Sequence, residues 1–180
     1  QIKGAHNISN ALAAAAAAHA FGVDPEIIAK GLREFVPIAH RLQPVAVVNG
    51  VEYVNDSKAT NPGATRMALT AFRDRPVVLL LGGRNKGNDF GDLADALEPC
   101  RAVIAFGEAG QEIADALVGT VEQVVVAPRM LDAIGLARAF AEPGDVVLLS
   151  PACASFDEFE GYAHRGDVFA ATVRKVDGAT

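Results

Sequence analysis

Four near-continuous apolar runs, Val77–Leu81, Ala102–Phe106, Gln123–Ala127 and Val146–Leu149, recur at fairly even spacing through the second half of the chain. They do not alternate with polar residues, which is the pattern of strands buried on both faces, as in a parallel sheet. Helical periodicity fills the gaps, at about Phe90–Leu97, Glu108–Leu117 and Arg129–Phe140, and a last helix is expected from Ser155 onward. Strand and helix alternating in this way predict an α/β fold: a doubly wound, Rossmann-like, mostly parallel sheet flanked by helices. Upstream, Val45–Val48 and Val51–Val54 flank Asn49-Gly50, a strong short-range hairpin signal. Asn61-Pro62 then reads as a cap and first-turn proline of a helix to about Phe72.

The first 40 residues carry helical signals and no strand. Asn7 or Ser9 can cap a helix that runs through the alanines to about Phe21, where Gly22 ends it. Asp24-Pro25-Glu26 starts a second helix bearing Ile27, Ile28, Leu32 and Phe35, and Pro37 stops it. Two helices cannot bury their apolar faces alone, so this segment is expected to pack on something else. The organisation read from the pattern is a helical segment over residues 1–42 and a Rossmann-like domain over residues 43–180. The chain starts at Gln1 and reads as cut from a longer protein.

A length of 180 residues and a charged fraction of 21% suit an ordinary globular domain. The net charge of −6, with no run of Lys and Arg, argues against a nucleic-acid partner. No apolar run approaches the roughly 20 residues that span a bilayer, and the alanine-rich start lacks a cleavage signature, so no membrane association is expected. Two cysteines, Cys100 and Cys153, make no disulfide framework and suit a cytoplasmic protein with reduced thiols. Cys153 has no histidine near it in sequence, which disfavours a nucleophilic role.

In doubly wound sheets, ligands bind outside the carboxyl ends of the strands. Several polar stretches fall there. Gly82-Gly83-Arg84-Asn85-Lys86-Gly87-Asn88-Asp89-Phe90 offers backbone amides and a lysine to an anion, or is a glycine-rich turn with a solvated lysine. It is not a Walker loop, which needs Gly-Lys-Ser or Gly-Lys-Thr. Ser155-Phe156-Asp157-Glu158 is a Ser-x-x-Glu capping box, whose amide cluster could also hold a carboxylate or phosphate. Asn55-Asp56-Ser57-Lys58-Ala59-Thr60-Asn61 places a cation, a carboxylate and two hydroxyls before a helix start. His40-Arg41 is either a surface pair or a phosphate clamp. Asn7 and Asn10, three apart on one helix face, could read a base edge or merely cap.

Taken together and in this order, these stretches resemble the Mur ligases, and within them the members that add D-glutamate. The resemblance rests on Gly4-Ala5-His6-Asn7-Ile8-Ser9-Asn10 and the alanines after it, on His40-Arg41, and above all on Asp56-Ser57-Lys58-Ala59-Thr60-Asn61. Lys86 to Phe90 and Ser150 to Phe159 fit as well. It implies an ADP-forming ligase of bacterial peptidoglycan synthesis, cytoplasmic and monomeric. Its substrates are ATP, D-glutamate and UDP-N-acetylmuramoyl-L-alanine, joined through an acyl phosphate with Mg2+. Residues 1–42 are then the helical end of a central ATP-binding domain. The resemblance implies catalytic roles for Lys58 and His40, D-glutamate binding by Thr60, Lys86, Ser155, Phe156 and Tyr162, and ATP contacts from Asn7, Asn10, Arg41 and Asp56, with no metal ligand in this chain. Two positions depart from the family pattern: Gln43, often Glu, and Tyr162, often Phe. The family's Walker loop and sugar-binding domain are absent, so these 180 residues are expected not to catalyse ligation alone. The alternatives are another Mur or folylpolyglutamate-type ligase, or a non-catalytic α/β nucleotide-binding module.

Overall fold

The computed structural model describes residues 5–36 and 38–177, the side chains of residues 5–7, 176 and 177 excepted. Two compact units divide between Ile38 and Ala39. The first contains α1 (Ala5–Ala20) and α2 (Pro25–Glu34). Because α1 already starts at Ala5, Asn7 and Ser9 fall inside it and neither is its cap, contrary to the capping expected from sequence. Its end closes as a Schellman motif: Gly22, at φ +82°, donates its amide to the His19 carbonyl, and Val23 donates to Ala18. The Asp24 carboxylate caps α2 by accepting from the Glu26 amide at 2.7 Å. The helix ends at Glu34, where Phe35 turns extended; Pro37, expected to stop it, lies outside the described residues. Ile27, Leu32 and Phe35 are exposed within this unit.

The second unit is a six-stranded sheet of β1 (Gln43–Val48), β2 (Val51–Asn55), β3 (Val77–Gly82), β4 (Cys100–Phe106), β5 (Val124–Ala127) and β6 (Val146–Ala152). Its order is β1-β2-β6-β3-β4-β5. Only the β1–β2 pair is antiparallel. Asn49 and Gly50 both take left-handed conformations in the hairpin between them, as a type I′ turn requires. The helices are α3 (Pro62–Leu69), α4 (Gly110–Leu117), α5 (Met130–Phe140) and α6 (Tyr162–Asp177).

Successive side chains of a strand point to opposite faces, so the continuous apolar runs feed two cores. Leu79, Leu81 and Leu148 meet Leu69, Phe72, Leu93 and Ile113 on one face. Val78, Leu80, Ile104 and Phe106 meet Met130, Ile134, Phe169 and Val173 on the other.

Three helices differ from the sequence expectation, one in type and two in where they start. Phe90–Ala96 is a 3-10 helix, tightened where the Asp89 carboxylate accepts from the Gly91 amide at 2.8 Å. α4 begins at Gly110, not Glu108. The last helix begins at Tyr162, not Ser155. Ser155 closes only a single turn, accepting the Phe159 amide at 2.8 Å. The capping box fails because Glu158 does not return to Ser155: its carboxylate accepts the Met130 amide at 3.2 Å and caps α5 instead. Asp157 likewise accepts the Glu108 amide at 3.1 Å, ahead of α4. Both carboxylates accept backbone amides at or just ahead of a helix start, where the dipole favours them.

The chain runs from β3 through β4 to β5 at one edge, then returns to place β6 on the other side of β3. The topological switch point therefore lies outside the carboxyl ends of β3 and β6, at Gly82 and Ala152. The chain enters this unit through a tight turn just before β1. His40 and Leu42 hold positive φ there, 62° and 44°, a conformation that costs non-glycine residues energy and persists only where it is over-determined. Four contacts determine it. The His40 amide donates to Gln43 Oε1 at 2.9 Å, and the Leu42 amide to Asp56 Oδ1 at 3.1 Å. Lys58 donates its amide to the His40 carbonyl at 3.0 Å, and the Asn55 amide nitrogen lies 3.0 Å from His40 Nδ1.

Asp56 is central to this arrangement. Its second oxygen accepts from Ser150 Oγ at 2.8 Å, and Thr65 Oγ1 donates to the Ser150 carbonyl at 3.0 Å. Burial pushes the Asp56 carboxyl up to about 6, against the opposing effect of these hydrogen bonds and of Arg41. A carboxyl raised in the folded state favours folding while it is protonated, and that contribution is lost as pH rises through the folded value. The 180-residue chain should therefore lose stability between pH 4 and pH 7 relative to Asp56→Asn, whose amide can satisfy the same neighbours because the Ser150 hydroxyl can turn to accept. Urea midpoints of the two proteins across that range check it; parallel curves would remove the buried carboxyl from the account.

Candidate functional site

Three segments converge at the switch point: residues 55–61 after β2, residues 82–90 after β3 and residues 150–160 after β6. The first is an extension of β2 along the end of β6. The Asp56 amide donates to the Leu149 carbonyl at 2.8 Å, and the Ala152 amide donates to Ala59 at 3.0 Å. Asn61 then caps α3 by accepting the Ala64 amide at 2.9 Å. Thr60 sits half-buried between these fixed points.

The second and third segments are joined by a two-residue bridge. Arg84 donates its amide to Ala154 at 2.9 Å and accepts the Ala154 amide at 3.1 Å. Gly83 makes this approach possible. It holds φ +124°, and a Cβ there would stand 2.2 Å from the Ala154 carbonyl oxygen. Lys86 is exposed two residues beyond the bridge, and Ser155 lies buried beside it in the chain. Phe156 is exposed.

The residue that gathers all three segments was not singled out from sequence. Arg165, in the first turn of α6, is fully buried. Its Nε donates to Ser57 Oγ at 2.9 Å. Its Nη2 donates to the Ser57 carbonyl at 2.9 Å and to the Cys153 carbonyl at 3.1 Å. Its Nη1 donates to the Gly82 carbonyl at 3.4 Å. One planar fork thus ties the segments after β2, β3 and β6 together, which its five fixed donors suit. Burial lowers its pKa to about 10, so it stays charged at neutral pH. The only sequence signal was an arginine set among apolar positions of an amphipathic helix, which reads equally well as a solvated residue.

Tyr162 opens the same helix. Its carbonyl accepts from Ser57 Oγ at 2.7 Å, and its hydroxyl accepts from Lys58 Nζ at 3.2 Å. The Lys58 ammonium also lies 4.6 Å from the centroid of its ring. His40 meets the ring edge-on at a centroid separation of 6.1 Å. Asn55, fully buried, links the turn before β1 to the helix: its amide nitrogen lies near His40 Nδ1 and donates to the Gly166 carbonyl at 3.1 Å. The structure therefore brings His40, Lys58 and Tyr162 into one cluster, and places Thr60, Lys86 and Ser155 on segments held by Arg165.

The nucleotide candidates divide. Asn10 is exposed on α1 in the first unit, and the Asn7 side chain lies outside the described residues. Arg41 is exposed in the turn before β1, whereas both oxygens of Asp56 are engaged inside the second unit. Among the described residues, no group of three or more His, Cys, Asp or Glu side chains could hold a metal ion.

Two other features carry no ligand chemistry. Burial pushes the Cys153 thiol up to about 12, which leaves it protonated and inert as a nucleophile. A groove of about 540 Å³ at the amino ends of β3 and β4 is lined by Arg73, Arg75, Cys100 and Arg101, but Arg75 pairs with Glu52, and Arg101 with Asp145 and Glu142. No described helix is long and apolar enough to cross a membrane.

Replacing Arg165 by Lys keeps the charge but cannot reach three segments at once, so it should cost about 2–3 kcal/mol in urea unfolding. Amide exchange at Ser57, Arg84 and Ala154 should accelerate more than exchange at the centre of β4. Uniform acceleration would mean that Arg165 supports the core and not the loops.

Residues 40–153, more than half of the chain, match the family model for the Mur ligase, glutamate ligase domain. The chain is 46% identical over 170 residues to the UDP-N-acetylmuramoylalanine–D-glutamate ligase of Pelotomaculum thermopropionicum, covering 93% of this chain and 37% of that protein. It is 49% identical over 168 residues to the enzyme of the same name from Rubrobacter xylanophilus, covering 93% and 38%. The chain thus spans well under half the length of these relatives. Among solved structures, the UDP-N-acetylmuramate-alanine ligase of Thermotoga maritima superposes with a TM-score of 0.69 at 19% identity, over 97% of this chain and 39% of the other. The folylpolyglutamate synthase of Mycobacterium tuberculosis, complexed with ADP and AMPPCP, superposes with a TM-score of 0.68 at 22% identity, over 93% and 41%. These two likenesses establish the α/β fold. The family match, together with the Asp56–Asn61 string held at the switch point, places the chain in the Mur ligase family, as its glutamate ligase domain.

Proposed function

We propose that this chain is the amino-acid-binding part of an ATP-dependent ligase that joins D-glutamate to UDP-N-acetylmuramoyl-L-alanine in bacterial peptidoglycan synthesis. The observation that carries the reading is the convergence of Lys58, Thr60, Lys86 and Ser155 on three segments fixed by Arg165. The relatives that carry this activity in their names support it. Residues 1–38 then belong to the nucleotide-binding domain, and residues 39–180, the compact unit that includes His40 and Arg41, form the amino-acid domain.

The chemistry asks little covalent work of this chain. ATP supplies the phosphoryl group that turns the precursor carboxylate into an acyl phosphate. The amino acid's nitrogen attacks the acyl carbon, an amide forms, a proton leaves the nitrogen and inorganic phosphate departs. What these residues contribute is position and charge. Lys86 meets the side-chain carboxylate of D-glutamate, while Ser155 and Thr60 offer hydroxyls. Phe156 and Tyr162 enclose the aliphatic part. Lys58, resting on the Tyr162 ring, stands between amino acid and phosphate, and His40 holds that ring from its edge. Arg41 fits an anionic nucleotide. Asp56 acts by fixing the turn that carries Arg41. Mg2+ would neutralise the charge that develops on the phosphates.

The carboxylates of Asp157 and Glu158 at the ends of β4 and β5 repel phosphate, which disfavours a simple nucleotide-binding module. In the full-length ligase, ADP release should require D-glutamate, with L-glutamate and diaminopimelate failing to substitute. Ser155→Ala should raise the KM for D-glutamate about 10-fold or more, the cost of one lost hydrogen bond to a charged group. Equal turnover with another amino acid would assign the chain to a different ligase.

A further inference from the structure

Lysine is a flexible point charge, so an exposed lysine on a glycine-rich loop presents its ammonium reproducibly only if the loop itself is fixed. One side of the Lys86 loop is fixed by the Arg84–Ala154 bridge. The other side is fixed by Asn85. Its Oδ1 accepts the Asn88 amide at 2.9 Å and Asn88 Nδ2 at 3.3 Å. Its Nδ2 donates to the Asn88 carbonyl at 3.1 Å and to Glu112 Oε1 at 2.7 Å. The bonds to Asn88 close a turn around Lys86-Gly87, with Gly87 at φ +82° supplying the reversal. The fourth bond anchors that turn to the first turn of α4, where a carboxylate is favoured by the helix dipole. Both donors and both acceptor positions of the Asn85 amide are used, so its orientation is specified.

We propose that Asn85, anchored by Glu112, is a positioning residue that sets where Lys86 presents its ammonium. It acts on binding of the carboxylate-bearing amino acid and not on the phosphoryl-transfer step. This rests on the reading of Lys86 as the partner of that carboxylate. Direct electrostatics and positioning predict opposite signs for the loss of Glu112. Removing a negative charge near the site should tighten binding of an anionic substrate if only the field matters. Removing an anchor should weaken it.

The test is steady-state kinetics of the full-length ligase with Asn85→Ala, Glu112→Ala, Glu112→Gln and Lys86→Ala. Asn85→Ala and Glu112→Ala should each raise the KM for D-glutamate about 10-fold, while kcat and the KM for ATP stay within about 2-fold. Glu112→Gln keeps the accepting oxygen and should behave like wild type. If Lys86→Ala raises the KM for D-glutamate but Glu112→Ala lowers it or leaves it unchanged, Asn85 and Glu112 do not position Lys86. The same conclusion follows if kcat and both KM values worsen together, because that is the signature of a damaged fold. If Lys86→Ala leaves the KM for D-glutamate unchanged, the assignment of Lys86 fails and the proposal falls with it.

Discussion

A buried guanidinium whose hydrogen bonds go to backbone carbonyls and a hydroxyl organises the carboxyl end of this sheet. Burying a charge is costly unless it is fully hydrogen-bonded. Arg165 meets that demand with three backbone carbonyls and a hydroxyl drawn from segments far apart in sequence. The cost of leaving it unsatisfied is what keeps those segments together. A neutral residue of similar size could fill the space, but it would not oblige the Ser57, Gly82 and Cys153 carbonyls to face one point. The sheet supplies the frame, and the guanidinium sets the relative positions of the loops on it.

Around that centre, each loop has its own device. The segment after β2 is held by the Asp56–Ser150 hydrogen bond and by the Asn61 cap. The segment after β3 is held by the Arg84–Ala154 bridge and by Asn85. The segment after β6 is held by Asp157 and Glu158, which reach the amides before α4 and at the start of α5. These last two carboxylates occupy the amide ahead of α4 and the amide at the start of α5, donors that would otherwise be left to water or an anion.

Much of this was legible in the sequence, for identifiable reasons. Continuous apolar runs betray strands buried on both faces, and Asn49-Gly50 betrays a type I′ hairpin, because in each case local chemistry and tertiary position agree. The Asp56–Asn61 string marked the right end of the sheet. What escaped was long-range. Ser155 to Glu158 has the local pattern of a capping box, yet Glu158 finds a better donor in Met130, distant in sequence and adjacent in space. Arg165 has no local signature, because its partners lie up to 108 residues away. Asn85 looked like one polar residue among several until the contact with Glu112 gave it a role.

The loops gathered by Arg165 are proposed to form a site for D-glutamate. An NMR titration of the isotope-labelled 180-residue chain addresses it directly, with L-glutamate as the control. Saturating shifts are expected with the D isomer, centred on Lys58 to Thr60, Lys86 and Ser155, and much weaker ones with the L isomer. Shifts of equal size for both isomers, or shifts confined to Arg73 and Arg101 at the opposite end of the sheet, would contradict it.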